Sequence, residues 1–283
     1  MINFHSIELP IANYLVIGSV PLGIRYSKDI DVICYRKDIQ VPYNESDEIA
    51  TFTYNNRKVE CLLADNQRSL QVFLNDFKYT TYELLYIIKA GHITFPHREW
   101  NKHITDYHIL RKLVNPEDLL TKEYIKLHRQ TTSDRLKITT PKLKGVSKAE
   151  FFDDAVVKYY EHDYIHACMA HKEYPMYTYM QHDHNIVECD KNLWDQFTYE
   201  EKIQCVLEEC YVIALERRII PLKREGKILP HALEAFKWAL YRVCTTLCSG
   251  WFRRFAIDNY FQIFNQVNPN YINVFYEKEA LTH

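Results

Sequence analysis

The hydrophobic positions change period as the chain runs. Near the start they come in short groups. Tyr14–Ile17 is an apolar run that stops at Gly18-Ser19, and residues 29–35 alternate acidic with apolar side chains. A period of two is that of a half-buried strand, whose successive side chains point to opposite faces. Ile49–Tyr54 and residues 58–63 repeat the pattern on either side of Asn55-Asn56, which reads as a hairpin turn. From Asn66 onward the period becomes helical. Helices are predicted over residues 69–77, over 81–90 with Gly91 as C-cap, and over 97–114, stopped by Asn115-Pro116. Further helices are predicted over 148–171, over 199–220 ended by Pro221, and over 231–257, with residues 174–192 as a polar connection. The pattern predicts an α+β fold: a small head built on a mixed sheet, then an all-helical body.

Composition narrows the class. The 283 residues are 47% hydrophobic and 25% charged, with a formal net charge of −2. That excludes collagen-like and disordered chains, and no run of about 18 apolar residues suits a membrane span. The first residues lack a basic region, and Glu8, Pro10 and Asn13 interrupt their apolar stretch, so no secretory signal is expected. The eight cysteines include no C-x-x-C pair, which predicts reduced, buried thiols in a cytoplasmic protein. Residues 121–148 carry eight Lys/Arg against two acids and include Pro141 and Gly145. They are read as a basic linker between a head at 1–120 and a helical domain at 149–283.

The candidate chemistry lies in the head. Val16-Ile17-Gly18-Ser19 is followed, nine residues on, by Asp29-Ile30-Asp31-Val32. On a strand, Asp29 and Asp31 project from one face while Ile30 and Val32 enter the core. Two carboxylates so close repel unless a cation lies between them, and Mg²⁺ prefers such oxygen ligands. Gly18 lets the backbone approach a ligand, and Ser19 offers a hydroxyl and an N–H to phosphate oxygens.

This arrangement resembles the hallmark of the DNA polymerase beta-type nucleotidyltransferase superfamily, with a hydrophobic residue, Gly, Gly or Ser, a gap near ten residues, then Asp-h-Asp-h. The family carries a third carboxylate on a neighbouring strand, and Glu60 within Val59-Glu60-Cys61 occupies that setting, with Asp65 the second choice. Lys102-His103-Ile104-Thr105-Asp106-Tyr107 resembles the helix that closes the catalytic domain in minimal members. The resemblance covers about the first 115 residues. It implies transfer of a nucleoside monophosphate from an NTP such as ATP to an acceptor hydroxyl, with two Mg²⁺ or Mn²⁺ ions held by Asp29, Asp31 and Glu60. It also implies that Gly18, Ser19 and Lys102 meet the triphosphate. The sequence departs from the family in the bulky Val20-Pro21-Leu22, where many members have a Gly-rich turn.

Other signals are less specific. The basic stretch, with Tyr124 and His128 as stacking groups, suits an RNA or other nucleic-acid acceptor. Trp251, Phe252, Arg253, Arg254 and Phe255 form a second candidate acceptor surface. His162, His166, His171, His182 and His184, with Glu208, Glu209 or Glu216 on a second helix, form a candidate metal site. His162-Asp163 resembles the metal-dependent phosphohydrolase signature, with His128 and Asp190 as loose further candidates; a packed helix face explains the His162 and His166 stripe more simply. His103 and Asp106, three apart on a helix, share a face, which suits a structural pair. Three readings follow: a nucleotidyltransferase, a non-catalytic nucleotide-binding sensor or interaction module, and a phosphohydrolase carried by the body.

Overall fold

The computed structural model describes residues 7–23, 29–46, 48–96, 99–135, 191–247 and 250–277. The chain divides into two compact units, Met1–Thr140 and Pro141–His283. The fold is α+β, as the pattern predicts.

The first unit is built on five strands: β1 (Tyr14–Ile17), β2 (Asp29–Cys34), β3 (Asn44–Ser46), β4 (Ile49–Tyr54) and β5 (Arg57–Leu63). Their order is β1-β2-β5-β4-β3, with β2 and β5 parallel and the other neighbours antiparallel. The β4–β5 turn is the expected one: Asn55 and Asn56 both take positive φ, 49° and 60°, which asparagine tolerates. Alternation sends Ile30, Val32, Ala50, Phe52, Val59, Cys61 and Leu63 into one core with Leu9, Ile11 and Val16. Burying each large aliphatic side chain contributes roughly 1.5–3 kcal/mol. A one-residue slip of β2 or β5 would put Asp29, Asp31 and Glu60 into that core instead, so the apolar set fixes the register of the acids.

Helices α1 (Arg68–Asp76), α2 (Tyr82–His92), α3 (Trp100–Arg111) and α4 (Leu119–Arg135) complete the unit. Thr80 ties the entry of α2 to β1 by donating its hydroxyl to the Val16 carbonyl at 2.7 Å. The next residue, Thr81, caps the helix by accepting the Leu84 N–H at 3.1 Å. Gly91 lies inside α2 rather than at its cap, because the His128 ring of α4 packs where a side chain would stand: a Cβ there would come within 2.4 Å of His128 Cδ2. Helix α4 packs on α1 and α2 and buries Thr121, Ile125, His128 and Thr132. The front half of the basic stretch is therefore helix, and the division between units falls within that stretch.

In the second unit the described helices are α5 (Lys191–Gln196), α6 (Tyr199–Ala214), α7 (Ile220–Arg224), α8 (Ala232–Arg242), α9 (Gly250–Asp258), α10 (Tyr260–Asn265) and α11 (Asn270–Glu277). Thr198 and Glu201 form a reciprocal capping box at the start of α6. Pro221 does not end this helix. A π turn over Leu215–Ile219 widens it, with the Ile220 N–H bonded to the Leu215 carbonyl, and Pro221 follows directly after that turn, in α7. A second π turn, Val243–Leu247, extends α8. Tyr211, Phe236, Phe252, Ile263 and Ile272 are buried, and the Tyr211 hydroxyl accepts the Asn268 N–H at 2.7 Å. Predicted helix 148–171 lies outside the described residues, as does residues 174–190 of the polar connection; Lys191 and Asn192 belong to α5.

Cys34, Cys61, Cys205, Cys210 and Cys244 are free and buried. Among the described residues no helix is long and apolar enough to cross a membrane.

Candidate active site

The parallel pairing of β2 with β5 sets Asp31 beside Glu60 and Asp29 beside Lys58. Adjacent strands lie about 4.8 Å apart, so the three predicted carboxylates occupy neighbouring positions on one face. Antiparallel pairing sets Ile17 opposite Asp31, and the chain then turns at Gly18. Gly18 has φ +76°, and a Cβ on it would lie 2.1 Å from Asp31 Oδ2. Only glycine fits: the turn lies directly against the carboxylate and takes a backbone conformation that other residues resist.

Burial and the nearby charges of Glu60 and Asp29 raise the Asp31 carboxyl above its usual range, while Lys102 and Lys89 oppose that rise. Concentrated negative charge on oxygen donors is what a hard divalent cation relieves, so the residues fit Mg²⁺ or Mn²⁺. Among the described residues no three His, Cys, Asp or Glu side chains are gathered into a ready cage. Glu60 accordingly pairs with Lys58. Asp65, the second choice for the third carboxylate, accepts the Arg36 backbone N–H at 2.9 Å from a turn past the strand end.

Behind the acids is a buried polar group that the sequence did not disclose as a site. Lys89 of α2, 4% exposed, meets Asp106 of α3 at 2.9 Å and His103 Nδ1 at 3.1 Å. Burial holds the Lys89 ammonium below its usual value, with Asp106 pulling the other way. Its sequence signal is a single lysine in the apolar run Leu84-Leu85-Tyr86-Ile87-Ile88-Lys89-Ala90. His103 and Asp106, which share a face of α3, both meet this lysine. Ser19 is buried too, and its hydroxyl is directed to Asp106 Oδ2 at 3.4 Å, so the turn after Gly18 is held to α3. Lys102, one turn before Asp106, pairs with Glu99 at 3.4 Å and keeps a third of its side chain exposed.

The other candidates fare differently. Neither Tyr124 nor His128 is a free stacking group. Tyr124 donates to Asp76 at 2.8 Å and packs against Phe73 and Phe77, and His128 is buried against His92 and Ser69. Trp251, Phe252 and Phe255 turn their rings to Trp194. His162, Asp163, His166, His171, His182 and His184 lie outside the described residues. Glu208, on α6, is buried and accepts from Gln204 at 2.8 Å.

No curated protein and no solved structure matches the chain. One family model does, over residues 84–275, a span that takes in Lys89, Lys102 and Asp106 and leaves Asp29, Asp31 and Glu60 ahead of it. That span exceeds half the chain, and the protein belongs to the family described as a domain of unknown function (DUF7275).

Proposed function

We propose that the first unit transfers a nucleoside monophosphate from an NTP to an acceptor hydroxyl. The observation that supports this most is the pairing of Asp31 with Glu60 across parallel strands, with Gly18 closed directly against Asp31. Asp29, Asp31 and Glu60 would hold the divalent cations, which supply charge neutralisation at the attacking and leaving oxygens. The backbone of Gly18-Ser19 lies where triphosphate oxygens would approach, and Lys102 supplies a compact positive charge there. The acceptor oxygen bonds to the α-phosphorus, the α–β bridging P–O bond breaks, and pyrophosphate leaves. Glu60 draws the proton from the acceptor hydroxyl. The body would select the acceptor, for which the charge of the basic stretch favours RNA or another nucleic acid. The buried free thiols suit a reducing, cytoplasmic setting.

A non-catalytic nucleotide-binding reading draws on one observation, that the Ser19 hydroxyl is already engaged by Asp106. Pyrophosphate release from each NTP with Mg²⁺, together with radiolabel transfer to RNA, separates the two. Asp31→Asn keeps the shape and deletes a ligating charge, and should lower turnover at least a thousandfold with the fold intact. NTP binding without pyrophosphate release in the wild type would favour the sensor.

A further inference from the structure

Lys58 stands among the acids without a part in the transfer described above. It is the cross-strand neighbour of Asp29, two residues from Glu60 on the same face of β5, and its ammonium pairs with Glu60 Oε1. Hydrogen bonding to Glu60, then the charges of Glu60, Asp29 and Asp31, hold it above its usual value. On its other side opens a groove of about 740 Å³ between the segment before β3 and strand β4, walled by Tyr43, Asn44, Thr51 and Thr53 as well as Lys58. Thr51 and Thr53 are the register partners of Glu60 and Lys58, so the groove adjoins the acids directly. The Lys58 side chain is 52% exposed, so its ammonium can leave Glu60 without crossing packed side chains.

We propose that Lys58 is the internal counter-ion of the carboxylate cluster: it neutralises Glu60 while no divalent cation is bound, and it withdraws into the adjoining groove when a cation takes the carboxylate. This rests on the reading of Asp29, Asp31 and Glu60 as metal ligands. An ammonium and a divalent ion cannot both occupy the same carboxylate oxygen, so the lysine competes with the metal and lowers its apparent affinity. The competition is modest, because an exposed pair is weak and screened by salt.

Mn²⁺ binding without nucleotide, titrated by the loss of the free-ion electron paramagnetic resonance signal, tests this apart from any activity. Lys58→Met should bind Mn²⁺ about three- to fivefold more tightly than wild type at low salt, with the gain shrinking at high salt. Lys58→Arg, which keeps the charge, should stay close to wild type. In a Glu60→Gln background the methionine should bring no gain. Unchanged or weaker Mn²⁺ binding by Lys58→Met, in a protein whose wild type binds Mn²⁺, overturns the counter-ion role and leaves the transfer reading standing. Failure of both proteins to bind Mn²⁺ overturns the two together.

Discussion

The two units bury different things. In the second, the described interior is mostly aliphatic and aromatic, with Tyr211 packed against Phe236 and Tyr271, and Trp194 against Trp251, Phe252 and Phe255; its buried Glu208 accepts from the neutral Gln204. Its Lys191–Asp195 pair, at 2.6 Å, lies in solvent. In the first, Lys89 and Asp106 are 4% and 0% exposed, Ser19 is 2% exposed, and Asp31 is half-buried among like charges. Removing charges from water is costly unless other groups compensate. The buried ion pair joins α2 to α3 in the first unit, and the Ser19 hydroxyl ties the turn after Gly18 to the same pair.

The largest expected effect breaks that arrangement. Lys89→Met takes the Lys89 ammonium from buried Asp106 and should destabilise the first unit by about 3–5 kcal/mol. Lys191→Met, which breaks an exposed pair in the second unit, should change stability by no more than about 0.5 kcal/mol. Hydrogen exchange followed peptide by peptide reads the two units separately, in α2 and in α6. Comparable losses in both variants would mean that the Lys89–Asp106 pair is no more than a surface contact.

Acid should open the same gap more gently. His92 and His128 face each other with their Nε2 atoms 3.1 Å apart, and His128 Nδ1 lies 3.0 Å from Ser69 Oγ. Burial, with the charge of Arg135, pushes His128 down to about 4, and burial with the nearby His128 puts His92 well below its usual value. Both are neutral in the fold, whereas the unfolded chain binds protons below about pH 6.5. Stability is therefore full above 6.5 and falls as pH drops toward 4. For His128 alone the loss by pH 5 is about 2 kcal/mol. Urea midpoints between pH 7 and 5 measure it, and His128→Gln should flatten the slope. A wild-type midpoint that stays level over that interval would contradict the burial of this pair.

These groups also mark what the sequence could and could not disclose. Strand alternation made Asp29, Asp31 and Glu60 legible, because a two-residue period states which side chains share a face whatever packs on the sheet. The edge strand β3 escaped, since Asn-Glu-Ser has neither apolar alternation nor β-branched residues and lies exposed. Pro221 was misleading because a π turn, which has no simple sequence signature, carries the helix past it. Lys89 was visible as a letter, but its partner Asp106 lies 17 residues on in another helix, and periodicity carries no information about such tertiary pairing.

Gly91 gives the smallest and sharpest comparison, because it is a helical glycine whose reason is tertiary. An alanine there must displace the His128 ring from 2.4 Å, and that ring is held from behind by Ser69 and His92. Gly91→Ala should therefore destabilise the first unit by about 1–3 kcal/mol, as overpacking does, despite the higher helix propensity of alanine. Gly250, at the start of α9, has open space around its Cβ position. There the propensity gain is unopposed, and Gly250→Ala should stabilise the second unit by up to about 1 kcal/mol. Opposite signs in the urea midpoints of the two variants are the expected result. If Gly91→Ala is neutral, the α2–α4 contact has room to relax, and the His92–His128 pair becomes a loose neighbour of the site instead of part of its support.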